Sequence, residues 1–322
     1  MTLGLRLDAG AVERMILELG AIGAHSGTGV WRTAYSPEWG EAQARLGRWA
    51  AEAGLDPRMD AVGNLWMRAE GREGGRAVAS GSHIDSQCPG GRYDGALGVL
   101  AALVAVTALT ARFGPPRRPV EAVSLCEEEG SRFPSAGFWG SRAITGGIAP
   151  GDPEQVVGLD GVPIAQAMRE RGLDPARAAG AKRHDLAAFV ELHIEQGPIL
   201  EAAGRAVGIV TGITGIRHTE VRLTGEANHA GAFPMDLRRD PMAGFAEIAS
   251  GVVGHAHRLG RPAVTTIGRI AVSPNGAAIV PGEVVFTLDA RHPDEAARQR
   301  LHAVHHRLME EVAERRGLGL ST

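Results

Sequence analysis

Histidine and carboxylate side chains follow three segments whose composition is typical of buried strands. His83 follows the first segment, and Asp94 comes eleven residues after it. Glu127–Glu129 follow the second segment directly, and His193 and Glu195 lie at the end of the third. Because functional sites in open α/β sheets form outside the carboxyl ends of strands, we expect these side chains to meet at one edge of a sheet.

Imidazole and carboxylate ligands without a thiolate suit Zn²⁺, Mn²⁺ or Co²⁺. An aspartate can bridge two ions that lie about 3.5–4 Å apart, and a neighbouring carboxylate can take a proton from attacking water. The ordinary alternative is a hydrogen-bonded histidine at each strand end and a solvated run of glutamates. The glutamates follow the buried-type strand 120–126, so at least one must point inward, where a carboxylate needs a partner. The recurrence at several strand ends favours a metal site.

A sheet covered by helices must position these residues. Apolar residues at helical spacing indicate the helices. The start of the second helix is also indicated by Ser36 as N-cap and Pro37 in the first turn. The predicted elements are helices over residues 11–19, 37–53 and 95–112 and strands over residues 61–68, 77–82, 120–126 and 187–194.

The pattern changes in the second half of the chain. Strands over 219–224, 264–272 and 284–288 and helices over 237–259 and 294–316 give the order β-α-β-β-α, one strand short of a ferredoxin-like unit. We expect the last helix to bury Leu301, Val304, Leu308 and Val312, and we expect the helical histidines His255, His257, His302, His305 and His306 at the surface.

Composition excludes several classes of function. Hydrophobic residues make up 44% of 322 residues, and a formal net charge of −3 argues against nucleic-acid or anionic-membrane partners. Cys88 and Cys126 cannot form a disulfide framework. The first ten residues lack the pattern of a signal peptide, and the apolar run 96–109 is shorter than the roughly 20 residues that span a bilayer. A cytoplasmic protein is expected.

Seven ordered stretches resemble the motifs of a known family. They are similar to those of M20-like dinuclear metallohydrolases, specifically the allantoate amidohydrolases and N-carbamoyl-L-amino-acid hydrolases of the hydantoinase/carbamoylase group. The resemblance runs from about Leu19 to the last residue. The stretches are 35–39, 81–86, 90–95, 127–134, 191–198, 228–231 and 289–293.

The resemblance implies a centre with two divalent ions, Zn²⁺, Mn²⁺ or Co²⁺. In the family pattern, His83 and His193 would bind one ion, Glu129 would bind the other, and Asp94 would bridge both. Glu128 would be the general base.

Substrate contacts are implied in the same way. His229 would polarise the scissile carbonyl, reaching across from the partner subunit of a homodimer, and Gln196 and Arg291 would hold the substrate. Arg291 would grip a carboxylate through two parallel hydrogen bonds. His218 is a further candidate for substrate contact. The ordinary alternatives are a solvated edge-strand charge for Arg291 and a polar loop residue for His229.

The chain departs from the family pattern at three places. The family takes a further metal-binding histidine from a C-terminal stretch, and no residue follows Thr322 to supply it. Ala278 stands where the family carries an asparagine, although Asn275 is near, and His218 stands where allantoate enzymes carry a second arginine. The last two changes argue against allantoate as the substrate.

These observations predict an α/β protein with two domains. Residues 1–209 would form a zinc-exopeptidase-like catalytic core, and residues 210–322 a ferredoxin-like βαββα(β) lid and dimerisation domain without its last strand. The C-terminal part of the catalytic domain would be absent, so we expect an exposed apolar patch and low activity.

The function implied by the resemblance is metal-dependent hydrolysis of a non-peptide C–N bond, with release of ammonia and CO₂. The substrate would be a small carboxylate with a ureido or carbamoyl group, such as allantoate or an N-carbamoyl-L-amino acid. Two alternatives stay open: an M20 aminoacylase or peptidase, and an inactive truncated product. The stretches 127–133 and 193–198 argue against the aminoacylase or peptidase.

Overall fold

The computed structural model describes Leu5, Leu7 and residues 9–322. The chain divides into two compact units, residues 1–206 and 207–322. A mixed sheet with helices forms the centre of the first unit, and an antiparallel sheet with two helices forms the second.

The first unit alternates helices and strands. Its helices are α1 (Ala9–Ala21), α2 (Pro37–Glu52), α3 (Ala96–Phe113), α4 (Trp139–Thr145), α5 (Asp152–Gln155), α6 (Ile164–Glu170) and α7 (Ile199–Ala202). Its strands are β1 (Ala24–His25), β2 (Gly29–Val30), β3 (Asp56–Met59), β4 (Leu65–Ala69), β5 (Ala77–His83), β6 (Gly90–Gly91), β7 (Val120–Leu125) and β8 (Leu186–Val190). Short 3-10 turns lie at Pro134–Ala136 and Pro175–Gly180.

Local signals decide where two of these elements begin. The hydroxyl of Ser36 accepts the backbone N–H of Trp39 at 3.1 Å and caps α2, as the sequence predicts. Strand β4 starts later than predicted because Asp60 accepts the backbone N–H groups of Val62 and Asn64 at 3.0 and 2.9 Å. These bonds hold residues 60–64 in a turn.

The order of strands in the main sheet is β3-β4-β7-β5-β8. Strand β4 is antiparallel to both of its neighbours, β3 and β7, whereas β7, β5 and β8 run parallel. His83, the last residue of β5, pairs with Leu125, the last residue of β7. The residues that follow the three parallel strands therefore start from the same edge of the sheet.

Helix α3 packs against β5 and β7. Its buried residues include Val99, Leu100, Leu103 and Val106, which belong to the main core of the unit. The helix has 18 residues, so by length and composition alone it could cross a membrane, but core helices of soluble proteins share that property. At the edge of the sheet, β8 leaves Phe189 and Val190 exposed.

The second unit is an α/β sandwich. Its elements are β9 (Gly215–Thr224), β10 (Asn228–His229), α8 (Pro241–Leu259), β11 (Val264–Ser273), β12 (Ile279–Val280), β13 (Glu283–His292), α9 (Glu295–Arg316) and β14 (Gly319–Ser321), with a 3-10 turn at Met235–Leu237. The sheet order is β11-β13-β9-β14, and α8 and α9 pack on one face. Along β13 buried and half-buried residues alternate, so the other face is open.

Three expectations for this unit differ from the structure. The sheet has a fourth strand, because β14 pairs with Arg222–Thr224 of β9 through three residues. Helix α8 begins at Pro241 rather than residue 237, because the carboxylate of Asp240 caps it. The expected surface position of His305 is wrong: α9 buries His305 and Met309, while Val304 is exposed, because the buried face is rotated from the expected stripe.

Candidate metal centre

His83 is fixed at the end of β5 with one ring nitrogen left over. The side chain is buried, and its Nδ1 donates to the backbone carbonyl of Asp85 at 3.0 Å. A neutral histidine that donates through one ring nitrogen presents the lone pair of the other, here Nε2, for a ligand.

His193 repeats this arrangement after β8. Its Nδ1 donates to the carbonyl of Ile194 at 2.9 Å, and its Nε2 lies 3.3 Å from Oδ1 of Asp94. The rings of His193 and His83 are stacked with their centroids 5.9 Å apart. One potential ligand atom from each of His83, Asp94 and His193 lies within 4.8 Å of the others, which is the size of a metal site.

A second group lies where β7 ends. His83, Glu128 and Glu129 also offer ligand atoms within 4.8 Å of one another. Oε2 of Glu128 lies 3.6 Å from Nε2 of His83. The backbone N–H of Glu129 donates to Oδ2 of Asp85 at 3.0 Å, and Gln87 donates to the Glu129 carboxylate at 2.8 Å. Glu128 therefore offers a possible ligand atom in the same group as Glu129, in addition to its expected role as a base.

The electrostatics of this edge favour a cation. Burial raises the pKa values of Glu128 and Glu129, although the neighbouring His83 opposes the rise. Burial alone would lower the pKa of His83, but Asp85, Glu128 and Glu129 raise it to about 9. Carboxylates crowded together in a poorly solvated place lack positive charge, and a divalent ion would supply it. The donor set of imidazoles and carboxylates fits Zn²⁺, Mn²⁺ or Co²⁺.

Glu127 belongs to neither group. It is fully buried with a left-handed φ of 51°, and its Oε1 accepts the backbone N–H of Phe133 at 2.9 Å. Burial, together with the charge of Asp85, raises its pKa to about 8. Glu127 holds the loop that follows β7, while Glu128 and Glu129 contribute to the centre.

Sequence reasoning did not assign a role to Asp85. Its backbone carbonyl accepts from His83, and its side chain accepts from the backbone N–H of Glu129. Asp85 therefore orients residues of both ligand groups. The signal was available in the sequence, because Asp85 stands two residues after a candidate ligand at the same strand end.

Gln196 contacts a candidate ligand in this structure. Its Nε2 donates to both oxygens of Asp94, at 3.0 and 2.8 Å, and its φ is 56°, again in the left-handed region. Glu195, at the same strand end, accepts the first N–H groups of α7 from Ile199 and Leu200, so its role is structural.

The other three candidate residues lie in the second unit. His229 is on β10, where its Nδ1 accepts the backbone N–H groups of Gly231 and Ala232, each at 3.1 Å. An Nδ1 that accepts carries no proton, so the donor of this imidazole is Nε2–H. His218 and Arg291 lie on β9 and β13, and both contact Asp289.

Comparisons with known proteins agree with this geometry. The sequence model of Peptidase family M20/M25/M40 matches residues 79–315. The chain is 44% identical to an allantoate amidohydrolase of Escherichia coli (strain K12) over 287 residues, covering 89% of this chain and 70% of the relative. It is 41% identical to an N-carbamoyl-L-amino-acid amidohydrolase of Paenarthrobacter aurescens over 293 residues, covering 90% and 71%.

A solved structure extends the likeness to the whole fold. A hydantoinase/carbamoylase family amidase from Burkholderia ambifaria superposes with a TM-score of 0.86 at 34% identity, covering 98% of this chain and 78% of that one. The predicted α/β class, with a zinc-exopeptidase-like core and a lid, is thereby confirmed. The chain belongs to Peptidase family M20/M25/M40, in which it groups with the amidohydrolases of the hydantoinase/carbamoylase type.

Proposed function

We propose that this amidohydrolase cleaves the C–N bond of a ureido or carbamoyl group carried by a small carboxylate. The substrate class is that of allantoate and the N-carbamoyl-L-amino acids, and the products are the freed amine, ammonia and CO₂. The single observation that carries the proposal is the convergence of His83, Asp94 and His193 beside Glu128 and Glu129. The names of the relatives support the choice of bond.

The first-unit residues would hold one or two divalent ions. When bound, such an ion polarises the carbonyl and lowers the pKa of water at the site. His83, His193 and Asp94 are the ligands we propose for one position, and Glu129 with Asp94 for a second. In the structure Glu129 shares a possible ligand group with His83 and Glu128, and not with Asp94. The proposal that Asp94 bridges two ions therefore rests on family resemblance alone.

Glu128 is the group we propose for proton transfer. Its carboxylate is half-buried and near the ligand atoms of His83, and its raised pKa brings it closer to that of a working base at neutral pH. Glu128 takes a proton from the attacking water and delivers it to the leaving nitrogen. His229, whose free donor is Nε2–H, would donate to the oxygen of the carbonyl as negative charge develops there.

We also propose a cytoplasmic homodimer in which His229 and Arg291 act on the substrate of the partner subunit. Family resemblance supports the dimer. Both cysteines are free, Cys88 exposed and Cys126 buried, which fits a reducing compartment.

Ammonia release would test the function directly. The chain is loaded with Zn²⁺, Mn²⁺ or Co²⁺ and given allantoate, an N-carbamoyl-L-amino acid or the matching N-acetyl-L-amino acid. We expect turnover of a ureido or carbamoyl substrate that a chelator abolishes. Cleavage of the N-acetyl compound alone would establish the aminoacylase alternative instead, and no cleavage with any ion would contradict the proposal.

A further inference from the structure

We propose that Asp289 is a positioning residue for Arg291. Asp289 orients the guanidinium of Arg291 so that its terminal Nη1/Nη2 edge binds a substrate carboxylate, and His218 holds Asp289 in place. This inference rests on the proposed function, in which Arg291 binds the substrate's carboxylate. It adds Asp289 to that site and specifies the edge of the Arg291 guanidinium that the substrate carboxylate approaches.

The sheet brings the three side chains together. Asp289 and Arg291 are two residues apart on β13, so both point to the open face. His218 lies directly opposite Asp289 on the neighbouring strand β9. Side chains directly opposite each other in an antiparallel pair are in contact distance, so an imidazole and a guanidinium both lie next to one carboxylate.

Asp289 binds Arg291 from the side. Nε of Arg291 donates to Oδ1 and Oδ2 of Asp289 at 2.9 and 3.1 Å, and Nη2 donates to Oδ2 at 2.7 Å. A guanidinium has five N–H groups in a rigid fork. The side edge is used, and the two N–H groups of Nη1 with the second N–H of Nη2 remain for another acceptor. Within the part of the chain that the structure describes, Nη1 of Arg291 has no hydrogen-bond partner.

His218 completes the arrangement. Burial alone would raise the pKa of Asp289, but the hydrogen bonds from Arg291 and His218 lower it, so this side chain is a carboxylate that only accepts. The Nε2 of His218, 2.9 Å from Oδ2, must therefore be the donor. Oδ2 is held from two strands, and the orientation of Asp289 and hence of Arg291 is fixed.

Two other arginines on the same face are bound differently. Arg222 donates to Glu283 through Nη1, and Arg269 donates to Glu220 through Nη2 at 2.7 Å. Each forms an ordinary surface ion pair through one terminal nitrogen. Of these three arginines, only Arg291 donates through both Nε and Nη2 to a single carboxylate.

The exposed fractions of the three side chains agree with a preformed binding site. The side chain of Asp289 is 20% exposed, whereas Arg291 is 44% and His218 72% exposed. Asp289, the acceptor, is thus covered by its two donors, Arg291 and His218. A guanidinium already fixed in place loses little conformational freedom when a ligand binds, and it offers the paired geometry that a carboxylate prefers.

Asp289 also carries a negative charge, so the direction in which its removal changes carboxylate affinity tests the proposal. If Asp289 only repelled anions, its removal would tighten carboxylate binding. If Asp289 positions Arg291, its removal weakens carboxylate binding and leaves the binding of a neutral analogue unchanged.

The experiment compares N-carbamoylglycine with neutral N-carbamoylglycinamide. The chain is labelled with ¹⁵N-arginine and titrated in the presence of a chelator, so that the carboxylate cannot bind an ion. The Nε–H signal of Arg291 is identified by its loss in Arg291→Lys. We expect the acid to move this signal in the unmodified chain and the amide to leave it in place.

Asp289→Asn should weaken binding of the acid at least tenfold, and His218→Ala should weaken it by a smaller factor. Asp289→Glu, which keeps the charge but shifts the carboxylate, should give an intermediate affinity for the acid. If Asp289→Asn does not fold, Asp289→Glu replaces it in the test. Glu220→Gln is the matched control, because Glu220 pairs with Arg269 on the same face, and it should leave the acid affinity unchanged.

Equal or tighter binding of the acid by Asp289→Asn would overturn the proposal, as would an Arg291 signal that the acid does not move. Binding is measured without turnover. A chain that binds the acid at Arg291 but releases no ammonia would therefore contradict the proposed function and leave the role of Asp289 standing.

Discussion

The imidazole rings of His83 and His193 lie face to face, with their planes inclined by 21° and their centroids 5.9 Å apart. Each ring donates its Nδ1–H to a backbone carbonyl of its own strand end. The two Nε2 atoms are therefore oriented by the fold itself, and a metal ligand that is already oriented does not have to be ordered when the ion binds.

Removal of either ring should release metal. We expect His83→Ala and His193→Ala to lower the affinity for Co²⁺ by more than the roughly 10–100-fold that removal of an outer-shell partner costs. Competition titration with a chromophoric chelator measures the affinity. His184→Ala removes an exposed histidine and should change nothing. Unchanged affinity in His193→Ala would exclude it from the centre.

Glu128→Gln should separate proton transfer from metal binding. The amide keeps the shape of the side chain but cannot accept a proton, so we expect turnover to fall by about 10²–10⁴-fold with metal content preserved. Ammonia release and metal analysis are measured on the same sample. Glu201→Gln, on the exposed side of α7, is the control. A parallel loss of metal would show instead that Glu128 is a ligand.

A homodimer with a site shared between subunits should show complementation. Glu128→Gln lacks the base and His229→Ala lacks the donor to the carbonyl, so a mixture can assemble one site that has both. We expect inactive Glu128→Gln and inactive His229→Ala to regain activity after subunit exchange. If exchange is demonstrated by mass spectrometry and activity stays absent, His229 does not act across the interface.

Glu121 holds a buried ion-pair network in the first unit. Its side chain is 3% exposed and accepts from Arg68 at 2.8 Å and Arg183 at 2.9 Å, and Arg183 lies 4.2 Å from the ring centroid of Trp66. Glu121→Gln leaves two cations without their shared partner, which should cost about 3 kcal/mol of stability. Glu70→Gln, which removes an exposed partner of Arg68, should cost less than about 1 kcal/mol.

Tryptophan fluorescence during urea unfolding can measure both variants, because all five tryptophans lie in the first unit. Equal losses of stability in Glu121→Gln and Glu70→Gln would mean that burial of Glu121 adds nothing to the network.

The second unit should lose stability in mild acid. His305, on α9, is fully buried against α8, beside His255 with ring centroids 5.8 Å apart. Burial, together with the charges of His255 and His302, lowers its pKa from 6.5 to about 4. The unfolded chain therefore binds a proton between these values that the folded chain does not.

Stability due to this group is complete above pH 6.5 and falls as the pH decreases towards 4, with a loss of roughly 2 kcal/mol between pH 7 and pH 5. Hydrogen exchange of the α8 and α9 amides measures it. His305→Leu should flatten this pH dependence, whereas His257→Leu, at an exposed position, should retain it. An identical pH profile in His305→Leu would assign the loss to other groups.

The sequence predicted which side chains come together at the sheet edge better than it predicted the packing around them. His83, Asp94, Glu129 and His193 could be grouped because parallel strands end at one edge of a sheet, and β5, β7 and β8 do so. His305 could not be assigned to the core, because a buried neutral histidine looks the same in sequence as a surface one.

Details of hydrogen bonding were also out of reach. The bond from Gln196 to Asp94 depends on a left-handed backbone that glutamine rarely adopts, and nothing in the stretch 191–198 indicates it. The side-on contact between Asp289 and Arg291 depends on rotamers on the open face of the second unit. Strand periodicity places both residues on one face but does not choose between a side-on and an end-on pair.

The left-handed φ angles at Glu127 and Gln196 carry a consequence for any attempt to make the protein more robust. Each angle costs of order 1–3 kcal/mol for a residue with a side chain, and glycine would relieve it. At Glu127 glycine would also remove the buried hydrogen bond to Phe133, so a selection for thermal resistance alone should reach the exposed Gln196 instead. The variants it recovers would melt at higher temperature and would lose the hydrogen bonds from Gln196 to Asp94, so resistance to heat and catalysis would evolve in opposite directions there.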